Sequence, residues 1–204
     1  MIIDPATAEP QNIYKLLIGS VVPRPIAFVS TIDKEGRTNL APFSFFTVCC
    51  ANPPMVCFTP AYRHDGTEKD TLRNAEETKE FVVNIVSESF AQQMNTCSAD
   101  YAPGISEFEK SGLTMLPSDL VKPPRVKESL VHMECKLVQV LHFGKKPTGA
   151  SLVIGEVIRF HVDDSIIHDF KIDPEKLQAI GRMGGFTYSR TTDRFEIPRP
   201  SKPA

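Results

Sequence analysis

The stretch on which the reading of this chain turns is Val22-Pro23-Arg24-Pro25-Ile26-Ala27-Phe28-Val29-Ser30-Thr31-Ile32, then Asp33-Lys34-Glu35-Gly36-Arg37, then Thr38-Asn39-Leu40-Ala41-Pro42-Phe43-Ser44-Phe45-Phe46. Ile26 to Ile32 is rich in β-branched and aromatic residues and runs into a glycine-containing hairpin loop, so Thr38 to Val48 reads as the return strand. Pro42 has no N–H for a ladder, which implies an edge, a bulge or a break there. Met55 to Thr59, entered from Asn52-Pro53-Pro54, and Phe81 to Val86 read as the next two strands. Two long strand signals, Leu130 to Phe143 and Leu152 to Val162, flank the turn Gly144-Lys145-Lys146-Pro147-Thr148-Gly149. Helices are expected over Lys69 to Thr78, over Ser87 to Thr96 with Ser87 as N-cap, around Ser106 to Ser111, and after Asp173-Pro174. Many strands with short helices between them make a mainly β fold, a barrel with helices packed over one end.

The 204 residues suit one domain, 1–204, without a repeat or a linker. A formal net charge of -2 gives no electrostatic case for nucleic acid or for an anionic membrane surface. No apolar run approaches the roughly 20 residues of a membrane span. The start, Met-Ile-Ile-Asp-Pro, lacks a basic segment followed by an apolar one, so a cytoplasmic location is expected. Cys49, Cys50, Cys57, Cys97 and Cys135 form no CxxC pair and are expected as small buried residues. With Trp absent, the 13 Phe supply the aromatic core. Glu76, Glu77 and Glu80 are expected on a solvated helix face. The histidines show no metal-ligand spacing, and no GxSxG, Walker sequence or strand-linked GxGxxG is present, so no side-chain catalytic group is assigned.

Three segments carry candidate chemistry. In Asn39 to Phe46 the proline kink frees backbone N–H and C=O groups, which can read the polar rim of a flat heterocycle; a bulged edge strand facing water is the alternative. In Gly66-Thr67-Glu68-Lys69-Asp70-Thr71 a helix start with a cation and hydroxyls suits an anion, or is an ordinary cap. Gly181-Arg182-Met183-Gly184-Gly185-Phe186-Thr187-Tyr188-Ser189-Arg190 can close over a ligand or pack as an irregular tail.

The first stretch resembles the flavin reductase-like, FMN-binding split-barrel family. So do Asn52-Pro53-Pro54, Lys69-Asp70-Thr71-Leu72-Arg73-Asn74, Phe81-Val82-Val83-Asn84, Gly155-Glu156-Val157 and Phe195-Glu196-Ile197-Pro198-Arg199-Pro200, in order along nearly the whole chain. The resemblance implies a six-stranded antiparallel split barrel, a homodimer with FMN near the subunit interface, and electron transfer through the flavin from NAD(P)H or a redox partner protein. It places Ser30 and Thr31 by the ribityl chain and Ala41, Pro42, Phe43, Ser44, Phe45 and Phe46 along the ring. Lys69, Asp70 and Thr71 would hold the phosphate, and Arg182, Gly184, Gly185 and Tyr188 would cover the cofactor. Arg24 and Asn39 complete the expected set, and Arg24, Lys69 and Arg182 would steer an anionic donor. One departure stands out. Reductases of the family that serve monooxygenases commonly carry Gly-Asp-His before the Gly-Glu-Val strand, whereas this chain has Gly149-Ala150-Ser151 leading to Gly155-Glu156-Val157. That is more similar to the flavoredoxin-like branch, whose members include electron carriers reduced by protein partners; a flavin-binding module without catalysis is the remaining alternative.

Overall fold

The computed structural model describes residues 1–63, 65–102, 105–144 and 148–200; His64, Lys145 to Pro147 of the long-hairpin turn, and Pro203 of the tail lie outside them. After the helix α1 (Pro10–Ser20), the chain builds β1 (Ala27–Ile32), β2 (Thr38–Phe43), β3 (Phe46–Ala51) and β4 (Pro54–Phe58). Next come α2 (Asp70–Thr78), β5 (Glu80–Ile85), a short 3-10 turn, α3 (Ala91–Thr96) and α4 (Glu107–Ser111). A two-residue pair, β6 (Met115–Leu116) and β7 (Arg125–Val126), precedes the long strands β8 (Val131–Phe143) and β9 (Ala150–Val162). A small pair β10 (Ile167–His168) and β11 (Lys171–Ile172), the turn of helix α5 (Pro174–Leu177), and a hairpin of β12 (Ile180–Arg182) and β13 (Tyr188–Arg190) complete it.

Seven strands form one antiparallel sheet in the order β2-β1-β5-β8-β9-β4-β3. The expected single return strand over Thr38 to Val48 is therefore two strands. Pro42 belongs to the outer strand β2, where a missing N–H breaks no ladder. Ser44 and Phe45 fall outside both ladders, and the chain there passes from one edge of the sheet to the other. The sheet curls to permit this: the rings of Phe43 on β2 and Phe58 on β4 lie 5.2 Å apart, and those of Phe58 and Phe81 on β5 lie 5.3 Å apart.

The period-two alternation of β1 explains why nearly all of it is buried. Ala27 and Val29 point into a core shared with Phe43, Val56, Phe81 and Val153, enclosed by the sheet. Ile26 and Phe28, one step out of phase, meet a second core with Phe90, Met94, Phe108 and Val126, where the helices cover the sheet's outer face. Gly155 on β9 is required by the first core. A Cβ there would stand 2.3 Å from Cζ of Phe81, whose ring is fully buried against Phe58. Gly155→Ala is expected to cost about 1–3 kcal/mol, the usual penalty of overpacking, seen as a lower urea midpoint.

Several local readings need correction. Glu80 opens β5 instead of extending a helix face; its carboxylate accepts from the Lys122 N–H at 2.8 Å and pairs with Lys136. Ser87 precedes the 3-10 turn, but its hydroxyl donates to the Leu177 carbonyl and caps nothing. Asp173 does cap α5, accepting from the Glu175 N–H. Only Cys97 and Cys135 are buried; Cys49 and Cys50 are exposed, because β3 is an outer strand. Helix α1 was not anticipated at all. Pro10 starts it well, yet none of its residues is buried.

Candidate functional site

The kinked strand and the start of α2 open onto one cavity of about 220 Å³. One wall is Asn39 and Ala41 to Phe45; the facing wall is Lys69, Asp70 and Thr71. The segment Ser98 to Tyr101 beyond α3 forms a rim, with Arg63 to one side. The kink is anchored by the Phe45 carbonyl, which accepts from the Thr59 N–H at 2.9 Å. The N–H groups of Ser44 and Phe45 stay outside either ladder and so remain available to a ligand.

Helix α2 has Lys69 in the capping position and no side-chain cap. The first-turn N–H groups of Asp70 and Thr71 therefore have no partner within the helix. Behind them sits a buried polar network. Asn39 Nδ2 donates to Thr71 Oγ1 at 2.8 Å and to Thr31 Oγ1 at 3.3 Å, and Asn74 Nδ2 donates to Thr31 Oγ1 at 3.2 Å. These bonds fix the two walls relative to each other. On the outward edge of β2, the Leu40 N–H donates to Glu107 Oε2 at 3.0 Å. Burial raises the Glu107 carboxyl above its ordinary value, against the opposing pull of that bond.

The cations of the cavity are paired with acids. Arg63 Nη2 donates to Asp70 Oδ2 at 2.8 Å, and Lys69 Nζ to Asp100 Oδ1 at 2.6 Å. The Asp70 carboxylate also meets Arg73 at 2.6 Å. What Asp70 can offer an anion is thus its backbone N–H, while its side chain positions Arg63. Arg63 and Asp100 were not singled out in the sequence; no motif marks them, and only folding brings residue 100 against residue 69.

The expected site residues divide into three groups. Asn39, Ala41 to Phe45 and Lys69 to Thr71 converge on the cavity. Ser30 and Thr31 do not reach it: both are fully buried, Ser30 donating to the Pro124 carbonyl and Thr31 accepting from the two asparagines. Phe46 also turns away and packs against the enclosed core. Arg24 lies beneath the kink, donating to Ser44 Oγ at 3.3 Å and to the carbonyls of Ile18, Val21 and Met183. Arg182 and Tyr188 line a second cleft of about 590 Å³ between α3 and the terminal hairpin. A gap of about 120 Å³, walled by Pro42, Ser44, Ser98 and Arg182, lies between the two spaces. Gly184 lines neither; it packs near Gly19 of α1, and Gly185 takes the left-handed conformation that the hairpin turn needs.

The family model for the flavin reductase like domain matches residues 18–171, which hold the kinked strand, the start of α2 and the whole main sheet. The chain belongs to this family. Its similarity to flavin reductase-like proteins of known structure extends end to end. Component B of nitrilotriacetate monooxygenase from Bacillus cereus is 38% identical, with a TM-score of 0.93, covering 97% of this chain and 98% of that one. The 2-nitrobenzoate 2-nitroreductase NbaA of Pseudomonas fluorescens is 33% identical, with a TM-score of 0.88, covering 100% and 98%. Flavoredoxin of Desulfovibrio vulgaris (Miyazaki F) is 22% identical, with a TM-score of 0.73 over 87% and 91%, a likeness of fold. Among the described residues of this flavin reductase-like chain, no helix is long and apolar enough to cross a membrane.

Proposed function

We propose that the chain binds FMN in the cavity between the β2 kink and the start of α2, and acts as an oxidoreductase that passes electrons from NAD(P)H or another donor through the flavin to an acceptor. The observation that carries this reading is the convergence of two segments far apart in sequence, Asn39 to Phe45 and Lys69 to Thr71, on one space. The donor set fits the group. Free N–H groups at Ser44 and Phe45 suit the acceptor rim of the ring, and the uncapped start of α2 with Lys69 and Arg63 suits a phosphate. We read β2 and β3 as the two halves of one kinked strand of a six-stranded split barrel.

Bound flavin would supply the two-electron chemistry; the chain orients and screens it. The Ser44 and Phe45 N–H groups lie where they can stabilise negative charge gained on reduction. No side-chain acid or base is assigned to hydride transfer. Similarity to a monooxygenase component and to a nitroreductase, both above 30% identity, favours an oxidoreductase over a static flavin-binding module. The visible absorption spectrum of the purified protein tests flavin retention. Steady-state oxidation of NADH and NADPH tests the donor: turnover supports a reductase, and silence with full FMN content supports a carrier served by a protein partner.

The Lys69–Asp100 pair sets a further expectation. A phosphate at Lys69 must compete with the Asp100 carboxylate, whose side chain is 52% exposed. An exposed pair is worth about 0.2–1 kcal/mol. Asp100→Asn is expected to tighten FMN binding by up to about fivefold, read by fluorescence titration.

We read the assembly as a homodimer. Tyr14, Leu16, Leu17 and Val21 of the α1 region, Val48 on the outer strand β3, and Val138 and Phe143 of β8 are apolar and exposed. Light scattering should then give twice the chain mass of 22.7 kDa, and a monomer at working concentration would refute the dimer.

A further inference from the structure

Three carboxylates line the cavity between the β2 kink and the start of α2: Asp70, Asp100 and Glu107. Two of them are already matched to cations. Arg63 and Arg73 hold Asp70, and Lys69 holds Asp100. Glu107 has no ion pair among the described residues, although only 8% of it is exposed. Its Oε2 accepts from the Leu40 N–H at 3.0 Å, so the carboxylate is fixed to the strand that carries the kink. A buried, unpaired carboxylate is costly to keep charged, and nothing in the electron-transfer reading uses it.

Its surroundings leave it without a counter-charge. Helix α4 packs against α3 and β2. From β2 come the Leu40 N–H and the Asn39 amide, and that amide is committed to Thr31 and Thr71. From the end of α3 comes Cys97, whose thiol donates to the Glu107 carbonyl at 3.7 Å; burial first, and then the Glu107 charge, push that thiol up to about 11. A gap of about 40 Å³ separates Glu107 from Asp33, Arg37, Arg73 and Tyr101. Arg37 is held there by Asp33, and Arg73 by Asp70. On α4 itself Glu109 and Lys110 are exposed. Every cation lining these two spaces thus already has a carboxylate. Burial raises the Glu107 carboxyl, the N–H groups of Leu40 and of Glu107 itself oppose this, Asp70 adds to the rise and Arg63 offsets part of it. A phosphate at the Asp70 and Thr71 N–H groups brings more negative charge into the same enclosed space. Like charges that close are relieved when one of them takes a proton.

We propose that Glu107 is the group through which the cavity senses the phosphate of its ligand: ionised in the free protein at neutral pH, it takes one proton from solvent as the phosphate enters, so that FMN and a proton bind together. The inference rests on the FMN reading above. One O–H bond forms on the carboxylate and no electron moves. Affinity is then greatest at acid pH, where Glu107 already holds its proton. It falls as pH rises, by up to about tenfold per unit, the limit for one linked proton. The phosphate alone gives the opposite sign. Its second ionisation, at about pH 6, makes it a better ligand for Lys69 and Arg63 as pH rises, and such a phosphate releases protons on binding. Proton uptake therefore identifies the carboxylate.

The test is calorimetric titration of the apoprotein with FMN and with riboflavin, from mildly acid to neutral pH, in paired buffers of different ionisation enthalpy. The expected result is that the wild type takes up a proton with FMN and none with riboflavin. Glu107→Gln keeps an oxygen for the Leu40 N–H and carries no charge at any pH. It should bind FMN about tenfold more tightly than the wild type at neutral pH, converge with it at acid pH, and bind riboflavin as the wild type does. The proton count needs only the wild type, so it decides the matter even where the glutamine variant does not fold. FMN binding without proton uptake, or FMN affinities of wild type and variant that run parallel with pH, overturns this inference and leaves the flavin reading standing. An equal proton uptake with riboflavin overturns it too, because the carboxylate then answers to the ring and not to the phosphate. If FMN binds at no pH, the flavin reading is what fails.

Discussion

Replacing Glu134 with alanine is expected to lower the unfolding free energy by about 3–5 kcal/mol, the cost of breaking a buried charged cluster. The side chain has no exposure. Its Oε1 accepts from the Asp119 N–H at 2.8 Å and from His161 Nε2 at 2.6 Å, and its Oε2 from the Leu120 N–H at 2.7 Å. One carboxylate on β8 thus straps the segment between β6 and β7 to the sheet, and removing it takes the partner from two backbone donors and from His161. Glu134→Gln separates charge from shape. An amide presents a donor to one of three donors, so a smaller loss of about 1–3 kcal/mol is expected. The pH dependence has a definite sign. Burial pushes the Glu134 carboxyl up, but the bonds from Asp119, His161 and Leu120 outweigh it and hold it below 4.5. Its contribution is complete above that value and is lost as pH falls through the lower native one. Urea unfolding of both variants from neutral pH into the acid range reads all of this. A Glu134→Ala midpoint equal to that of the wild type would refute the strap.

Much of the fold was legible because strands announce themselves twice, by β-branched content and by punctuation. The long pair β8 and β9, the Asp173 cap and the phenylalanine core came out as read. The split of Thr38 to Val48 into β2 and β3 did not, though Pro42 had flagged an edge or break. Local sequence signals a kink without saying that the chain then crosses to the far edge of a curled sheet. Exposure depends on that same long-range placement, which is why Cys49 and Cys50 escaped the expectation of burial. At the cavity, the residues that a motif marks are legible in the sequence and those supplied by folding are not. Asn39, Ser44 and Lys69 line one cavity, whereas Arg63 and Asp100, which line it too, belong to no pattern. Ser30 and Thr31 failed for another reason. Polar side chains on a central strand look like ligand contacts, yet here their partners are Pro124, Asn39 and Asn74 inside the protein. Motif position identifies the strand that frames a site; which side chains face the ligand is decided by the alternation of that strand and by what covers it.

Lys69→Ala is expected to weaken FMN binding by about 1.5–3 kcal/mol, the range of a charged hydrogen bond, or about 10- to 150-fold in Kd. The effect must be specific to the phosphate. Lys69 caps α2 with its backbone, where alanine serves as well, and its ammonium pairs with Asp100. Riboflavin has the same ring without the phosphate, so its affinity should barely change in the variant. Lys69→Arg keeps the charge at similar reach and should recover most of the FMN affinity. Rising salt should weaken FMN binding more in the wild type than in Lys69→Ala, because screening acts on the charge that the variant lacks. An equal loss for FMN and riboflavin would mean that the substitution had disturbed the cavity wall instead. Unchanged FMN affinity in a fluorescence titration would remove Lys69 from the site. The phosphate would then rest on Arg63 and the open N–H groups of Asp70 and Thr71, and the Asp100 pair would become a surface ion pair with no bearing on the ligand.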